Sequence, residues 1–272
     1  MILTQYFDKQ KVSCLTRDTK LKLSPIRWLD VLENVLRSPV QVIKEGAAKR
    51  TVKTALAPWG EVCLHDRRYQ VKKQLLSPFR PSPGKKMWKH SLFLIKNKFP
   101  IAEPLLYLEL KKGPFVKRTF LVTKWQESTN LGKPFREKHS VFNDLLVQLL
   151  QDAARLVARL HNDGFVHGDL KWSNFLWVPS RQDRIVLTDL DHIERSGSAE
   201  KQGRDLARFI LSAAEFQLDE EIAESMINCY FNRRQIYPIG LEKCLERHVK
   251  RKQSKYKNRH QVLPAIQNTN DS

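Results

Sequence analysis

Three polar side chains, Asp169, Asn174 and Asp189, have the types and spacing needed for chemistry on a phosphate group. Asn174 follows Asp169 by five residues, and Asp189 closes an apolar run further along the chain. Carboxylate and amide oxygens suit Mg²⁺, which accepts few protein ligands and takes the rest from phosphates and water. A separate carboxylate can then orient or deprotonate a hydroxyl group. Phosphoryl transfer requires this arrangement, because its catalysis is mostly positioning and charge neutralisation.

The residues around this set predict a β-hairpin that positions two of its members. Two largely apolar runs, 175–178 and 185–188, are separated by a turn cluster of Pro, Ser, Arg, Gln and Asp. In an antiparallel pair, the residues that open the first strand lie opposite those that close the second. Asn174 and Asp189 are therefore expected at the same end of the hairpin, with Asp169 just before it.

The order Asp-Leu-x-x-x-Asn, followed by an apolar strand that ends in Asp, resembles the catalytic loop and metal-binding aspartate of protein-kinase-like phosphotransferases. The resemblance implies an α+β, protein-kinase-like fold of two lobes. The N-lobe would contain a small antiparallel sheet and the C-lobe would be mainly helical. Both ATP and Mg²⁺ are implied.

The order of elements along the chain divides it into four parts. Residues 1–38 form a polar lead segment with a short helix around 26–36, and residues 39–125 form the nucleotide-binding N-lobe. Residues 126–250 form the C-lobe, with the catalytic loop and the acceptor site. Residues 251–272 form a basic and polar tail, which we expect to be disordered.

In this fold, a strand lysine of the N-lobe contacts the nucleotide phosphates. Residues 68–74 alternate as a strand does and contain Lys72, with Lys73 as the second candidate. The loop 44–50 falls where the glycine-rich phosphate cover belongs, although it contains a single glycine, Gly46.

The helix predicted at 84–98 lacks the glutamate that kinases use to hold this lysine. Glu61, Asp66 and Glu103 are the available substitutes, and the sequence does not choose among them.

Charge restricts the class of partner. The chain has 48 Lys and Arg against 29 Asp and Glu, giving a net charge of +19. Such a surface attracts anionic partners and argues against a polycationic substrate such as an aminoglycoside. The run from Lys73 to Ala102 contains seven basic residues and no acid, and seven more lie between 247 and 260. The first segment could face an anionic substrate or an anionic membrane, and the second could contact an anionic membrane; a merely solvated surface remains the alternative for both.

The location of the chain follows from the segments that it lacks. No apolar run reaches the ~20 residues of a membrane span, and the first residues do not resemble a signal peptide. The four cysteines are scattered, as is typical of reduced structural thiols. We expect a cytoplasmic protein whose membrane contact is peripheral.

The segment after the metal-binding aspartate favours a non-peptide acceptor. Only 13 residues, 192–204, separate Asp191 from Asp205, too few for a long activation segment. Gly168 stands where regulated protein kinases have an arginine. Both features indicate a small-molecule or glycolipid acceptor.

Asp205 is expected to open a helix, either contacting the catalytic loop or serving as a simple cap.

Several segments together resemble the lipopolysaccharide kinase family, the Kdo and heptose kinases of the bacterial outer-membrane core. The matching segments are 68–72, 86–88, 101–105, 119–125, 161–176, 187–193 and 205–209. The resemblance implies ATP-dependent transfer of phosphate to a sugar hydroxyl, on Kdo or heptose, of a lipopolysaccharide inner-core glycolipid. The reaction would take place at the cytoplasmic face of the bacterial inner membrane.

The same resemblance assigns roles residue by residue. Asp169 is implied as the catalytic base and Lys171 as a catalytic contact to the transferred phosphate. Asn174 and Asp189 are implied as nucleotide-binding residues and Mg²⁺ ligands, and Lys72 as the clamp on the ATP phosphates.

Two other interpretations remain open. The first is a catalytically silent kinase-like protein that binds membrane or nucleic acid through its basic surface, which the missing helix glutamate favours. The second is an atypical protein kinase, which the short segment after Asp191 argues against. Under the leading hypothesis the partners are an anionic glycolipid and an anionic membrane surface, and we do not expect nucleic acid.

Overall fold

The computed structural model describes residues 2–7, 10–18, 23–133, 144–216, 218 and 220–256. The chain folds into two compact units, residues 1–127 and 128–272. The first unit is built on an antiparallel sheet, and the second consists mainly of helices. This is the α+β architecture that the sequence predicts.

In the part of the chain that is described, the first unit contains one antiparallel sheet of seven strands, in the order β1-β2-β6-β7-β5-β4-β3. The strands are β1 (Ile2–Phe7), β2 (Gln10–Thr16), β3 (Gln41–Gly46), β4 (Lys49–Leu56), β5 (Gly60–Arg68), β6 (Pro104–Lys112) and β7 (Phe115–Lys124). The helices are α1 (Pro25–Arg37), α2 (Val71–Leu75) and α3 (Pro83–Lys96).

The two faces of this sheet are covered by different helices. Trp28 and Leu32 of α1 are fully buried in an apolar core that includes Leu64 and Phe120. Helix α3 packs on the opposite face, so closely that a Cβ at Gly84 would lie 2.8 Å from the ring of Tyr107. Because side chains alternate along a strand, the central strands β6 and β7 present one set of residues to the core under α1 and the other set toward α3.

Residues 1–38 are part of the first unit and do not form a separate lead segment. Strand β2 pairs with β6 in the register Val12↔Leu110 and Cys14↔Leu108. Val12 and Cys14 are buried in the core beneath α1. The predicted helix is present as α1, and its apolar side chains join the same core because β2 extends the sheet under it.

The strand predicted at 68–74 is wrong beyond Arg68. The amide of Tyr69 still donates to the Lys117 carbonyl of β7, at 2.9 Å. The carbonyl of Gln70 then accepts from the amides of Lys73 and Gln74, and this turns the chain into the short helix α2. Lys72 is therefore an exposed helical residue and not a strand lysine.

The second unit contains four helices longer than two turns in the part of the chain that is described. They are α4 (Asp144–Asn162), α5 (Ala199–Glu215), α6 (Glu220–Arg233) and α7 (Leu241–Tyr256). Its short strands are β8 (Thr129–Asn130), β9 (Phe165–Val166), β10 (Phe175–Trp177), β11 (Ile185–Leu187) and β12 (Glu194–Arg195).

The predicted tail begins too early. Helix α7 continues to Tyr256, so residues 251–256 are helical, and residues 257–272 lie outside the described residues. Within the described ranges, no helix is long and apolar enough to cross a membrane.

Candidate active site

The hairpin of β10 and β11 brings Asn174 and Asp189 together as predicted. The strands pair in the register Phe175↔Leu187 and Leu176↔Val186. Just beyond them, the amide and hydroxyl of Thr188 donate to the Asn174 carbonyl at 2.9 and 3.1 Å. Asp189 is the next residue, so both side chains start from one end of the hairpin.

Asp189 has a left-handed backbone conformation, with φ 56° and ψ 49°. Aspartate tolerates this region better than most residues, although it still costs some strain. The conformation ends β11 abruptly and starts a 3₁₀ turn over residues 190–192. Asp189 is thereby placed at a corner of the backbone, next to Thr188, which is bonded to the Asn174 carbonyl.

Alternating burial fixes the catalytic loop that precedes the hairpin. Leu170 and Trp172 are buried, whereas Asp169 and Lys171 are partly exposed. The Trp172 ring stacks on Phe216, with ring centroids 5.4 Å apart. The apolar members anchor the loop in the second unit, and the charged members point away from that core.

Two cations surround the Asp169 carboxylate. The Lys171 ammonium lies 2.9 Å from Oδ2, and the Arg208 Nε atom of α5 lies 3.6 Å from Oδ1. Partial burial tends to raise the pKa of Asp169. The hydrogen bond and charge of Lys171, followed by the charge of Arg208, outweigh it and hold the pKa below the usual 3.8. Asp169 is consequently an ionised hydrogen-bond acceptor at neutral pH.

Asn174 is oriented by the same loop. Its side chain is buried, and its Nδ2 donates to the Asp169 carbonyl at 2.9 Å. Because the amide nitrogen is engaged, the Oδ1 atom is the end available to a cation. Together with Asp189 it offers hard oxygen ligands, a donor set that fits Mg²⁺. In the described ranges, no cluster of three or more His, Cys, Asp or Glu side chains could hold a metal.

Asp205 holds the backbone of the catalytic loop. Its carboxylate accepts from the amides of His167 and Gly168, at 2.5 and 2.8 Å. The residue lies inside α5, which begins at Ala199. The expectation that Asp205 opens a helix is therefore wrong, and its contact with the catalytic loop is confirmed.

His167 connects the catalytic loop with the hairpin. Its Nε2 lies 2.9 Å from the Thr188 carbonyl, which can only accept, so Nε2 carries the proton. Its Nδ1 then accepts from the Asp169 amide at 3.3 Å. The imidazole thus spans the segments that carry Asp169 and Asp189.

The catalytic loop approaches His192 so closely at residue 168 that only glycine fits there. The φ of Gly168 is +84°, and a Cβ there would lie 2.9 Å from the Cβ of His192 and 3.0 Å from the His192 carbonyl oxygen. An arginine, or any residue with a side chain, would push the loop away from the turn that follows Asp189. The glycine seen in the sequence therefore has a local packing cause.

The first unit places other lysines, and not Lys72, on the face that a nucleotide-binding lysine would occupy. In kinases the strand lysine pairs with a glutamate of the covering helix, so it shares the face of that helix. Here α3 covers the face of Thr119, and β5 and β4 place Arg67 and Lys49 opposite Thr119 in the ladder. Lys53 lies four residues further along β4, on the same face.

The three acids proposed to replace the helix glutamate pair with other cations. Glu61 lies 2.9 Å from Lys53, which also contacts Glu127 at 2.8 Å. The remaining two pairs are Asp66 with Arg118, at 2.7 Å, and Glu103 with Arg17, at 2.6 Å. Glu61 is thus a carboxylate partner for a lysine on the α3 face, and that lysine is Lys53.

Sequence reasoning missed Arg208 and the role of His167. Arg208 follows Asp205 by three residues on α5, a spacing that places both on one side of a helix. The spacing is visible in the sequence, but the proximity of α5 to Asp169 depends on tertiary packing.

A family model matches the sequence of this chain, and a solved structure matches its fold. Residues 91–230, more than half of the chain, match the lipopolysaccharide kinase (Kdo/WaaP) family. No curated protein matches the sequence. Among solved structures, the fold is similar to that of WaaP in complex with acyl carrier protein, with a TM-score of 0.60 and 18% identity. The alignment covers 88% of this chain and 98% of that one.

Proposed function

Because the chain belongs to the lipopolysaccharide kinase (Kdo/WaaP) family, we propose that it transfers the γ-phosphate of ATP to a hydroxyl group of Kdo or heptose in the lipopolysaccharide inner core. The observation that carries the proposal is the cluster of Asp169, Lys171, Asn174 and Asp189 in the second unit. An ionised carboxylate beside an ammonium group, with oxygen ligands next to it, is the equipment that phosphoryl transfer needs.

The hydroxyl group of the acceptor sugar donates a hydrogen bond to the Asp169 carboxylate. The hydroxyl oxygen forms a bond to the γ-phosphorus, the bond from that phosphorus to the bridging oxygen breaks, and ADP departs. The hydroxyl proton passes to Asp169. A carboxylate with a lowered pKa is a weak base, so it serves first to orient the hydroxyl and takes the proton late, as a loose transition state allows.

Lys171 adds positive charge next to the reacting oxygen. In the structure its ammonium binds Asp169, at 2.9 Å. When a triphosphate is present, the three donors of this group can bind a γ-phosphate oxygen as well as the carboxylate. Asn174 and Asp189 would hold Mg²⁺, which neutralises phosphate charge when it is bound.

We propose that the lysines of β4, and Lys53 first among them, bind the nucleotide phosphates in place of Lys72. Lys53 lies on the α3 face and has a carboxylate partner in Glu61. Its ammonium also lies 4.7 Å from the centre of the Trp125 ring, which follows the last strand of the first unit. Lys72 lacks the strand position on which its assignment depended.

The proposed reaction takes place at the cytoplasmic face of the inner membrane. The acceptor is a lipid-anchored sugar, and the net charge of +19 attracts the protein to anionic headgroups.

The decisive experiment measures transfer of labelled γ-phosphate from Mg²⁺-ATP to a bacterial glycolipid extract. Wild type is compared with Asp169→Asn and with Asp163→Asn, an exposed carboxylate of the same unit. We expect Asp169→Asn to lose at least about 100-fold in rate, because it removes the proton acceptor. Asp163→Asn should behave as wild type.

Three results would contradict the proposal in different ways. Equal transfer by Asp169→Asn would remove the assigned base. Label on protein instead of glycolipid would indicate a protein kinase. No transfer together with no Mg²⁺-ATP protection in a thermal melt would indicate a catalytically silent protein.

A further inference from the structure

Helix α2 and the turn after it present a group of apolar side chains to solvent. We define the 71–79 patch as Val71, Leu75, Leu76 and Phe79. Phe79 exposes 87% of its surface and Leu75 exposes 56%. Single exposed apolar residues are ordinary, but a cluster of four within nine residues is typical of an interaction site.

The polarity of this segment is the reverse of that expected for a segment packed on a sheet, and its hydrogen bonds show why. The Ser77 hydroxyl donates to the Gln74 carbonyl at 2.6 Å and accepts from the Val116 amide of β7 at 2.8 Å. The Gln74 side chain bonds to the Tyr69 carbonyl and to Lys117. The polar side chains thus face the sheet and fix the segment to it. The apolar ones are left on the outside, so they do not contribute to the core of the first unit.

Positive charge surrounds the patch. Lys72 and Lys73 follow Val71, Arg80 follows Phe79, and no acid occurs between Asp66 and Glu103. Helix α3, whose cap Ser82 follows Phe79 by three residues, buries Trp88 and Leu94. Its exposed positions include three further lysines: Lys86, Lys89 and Lys96.

We propose that the 71–79 patch is a docking element for a bilayer with anionic headgroups. Phe79 and Leu75 insert at the level of the headgroups, while Lys72, Lys73 and Arg80 contact lipid phosphates. Amphipathic surface segments bind membranes in this way, and long basic side chains keep their charges at the interface. The proposal rests on the proposed function in one respect, that the acceptor is anchored in a membrane.

Shape and charge favour a membrane over a protein partner. A side chain that exposes 87% of its surface protrudes, and a lipid interface accepts protruding side chains without a matching cavity. The basic residues at both ends of the segment, Lys72 and Lys73 after Val71 and Arg80 after Phe79, complement a surface of lipid phosphates.

The test is sedimentation of the full chain with lipid vesicles. Vesicles of phosphatidylcholine mixed with phosphatidylglycerol are compared with vesicles of phosphatidylcholine alone. We expect wild type to bind the mixed vesicles. The double variant Leu75→Ser with Phe79→Ser, the patch variant, should bind them at least about tenfold more weakly. Lys72→Gln and Lys73→Gln should each weaken binding about fivefold on the mixed vesicles only.

The matched control replaces exposed apolar residues elsewhere in the first unit. Val42 and Ile43 of β3 expose 43% and 46% of their surfaces. The double variant Val42→Ser with Ile43→Ser should bind vesicles as wild type does. Thermal unfolding of each variant checks that the fold is retained, which we expect because all four positions are exposed.

Several outcomes would overturn the proposal. They are no binding by wild type, equal binding by the patch variant, and equal loss in the β3 control. If the patch variant keeps vesicle binding but loses binding to an acidic protein, the patch would be reassigned to a protein interface.

Failure of the proposed function is separable from failure of the docking proposal. If vesicle binding depends on the patch but no variant or wild type phosphorylates glycolipid, docking stands and the kinase assignment fails. If both proposals hold, the patch variant loses transfer to vesicle-embedded glycolipid. It retains transfer to the delipidated core oligosaccharide, since Asp169 and its neighbours are unchanged.

Discussion

The ammonium group of Lys171 lies 2.9 Å from Oδ2 of Asp169, although the two residues are separated by a single buried leucine. This contact is an ion pair between a carboxylate and an ammonium group. It keeps the carboxylate ionised and, under the proposed function, places a cation where the transferred phosphate would arrive. The local alternation of charged and apolar residues, fixed by the packing of Leu170 and Trp172, produces the pair.

Lys171→Met should slow phosphate transfer by about 100-fold and move the acid limb of the pH profile to higher pH. The lysine lowers the Asp169 pKa, so its removal lets the carboxylate protonate at a higher pH as acid is added. A pH series of kcat for the variant and wild type measures the shift. Lys243→Met, at an exposed position of α7, is the control. An acid limb that does not move would show that Lys171 has no electrostatic effect on Asp169.

Gly168→Ala should destabilise the protein by about 1–3 kcal/mol and reduce transfer, because it adds a close contact with His192 to an unfavourable backbone conformation. Gly164→Ala separates the two effects. Gly164 has φ +72°, and a methyl group added there would meet no neighbouring group within 4 Å, so this variant should cost only the backbone strain. Urea unfolding of both variants gives the difference. Equal losses would mean that the contact with His192 contributes nothing.

The stability of the protein should fall as the pH drops below 6.5, in part because of His161. Burial is the main cause that lowers the pKa of His161, partly opposed by Asp205. Its Nδ1 lies 2.8 Å from the Tyr230 hydroxyl. Below 6.5 the unfolded chain binds a proton that the folded chain does not, so protonation favours unfolding until the folded pKa is reached.

His161→Gln tests this dependence, because an amide can still bond to Tyr230 without titrating. Urea unfolding between about pH 8 and pH 5, where histidine titrates, should show a flatter profile for the variant. Identical slopes in the two proteins would assign the dependence to other groups.

Lys53→Met should weaken Mg²⁺-ATP binding, whereas Lys72→Met should not. Lys53 lies on the sheet face covered by α3, and Lys72 lies in an exposed helix that is separate from the strand ladder. Protection by Mg²⁺-ATP in a thermal melt measures the difference without an acceptor. The reverse result would restore the assignment that the sequence pattern suggested.

Local patterns were sufficient to predict the catalytic hairpin. Asn174 and Asp189 are joined by a short turn between two apolar runs, and antiparallel pairing leaves them a single arrangement. Local patterns misled at residues 68–74, where alternation predicted a strand. The turn at Gln70 depends on contacts of Tyr69 and Gln74 with β7, which is more than forty residues away.

The membership of the proposed reactive set follows from the order of residues along the chain, because Asp169, Lys171, Asn174 and Asp189 lie within one loop and one hairpin whose geometry is local. The way in which that set is held and charged depends on long-range packing instead. Asp205 and Arg208 reach the loop because α5 packs against it, and Val12 joins the first core because β2 pairs with β6. Contacts between distant segments follow from the packing of whole elements, and no short pattern of residues encodes them.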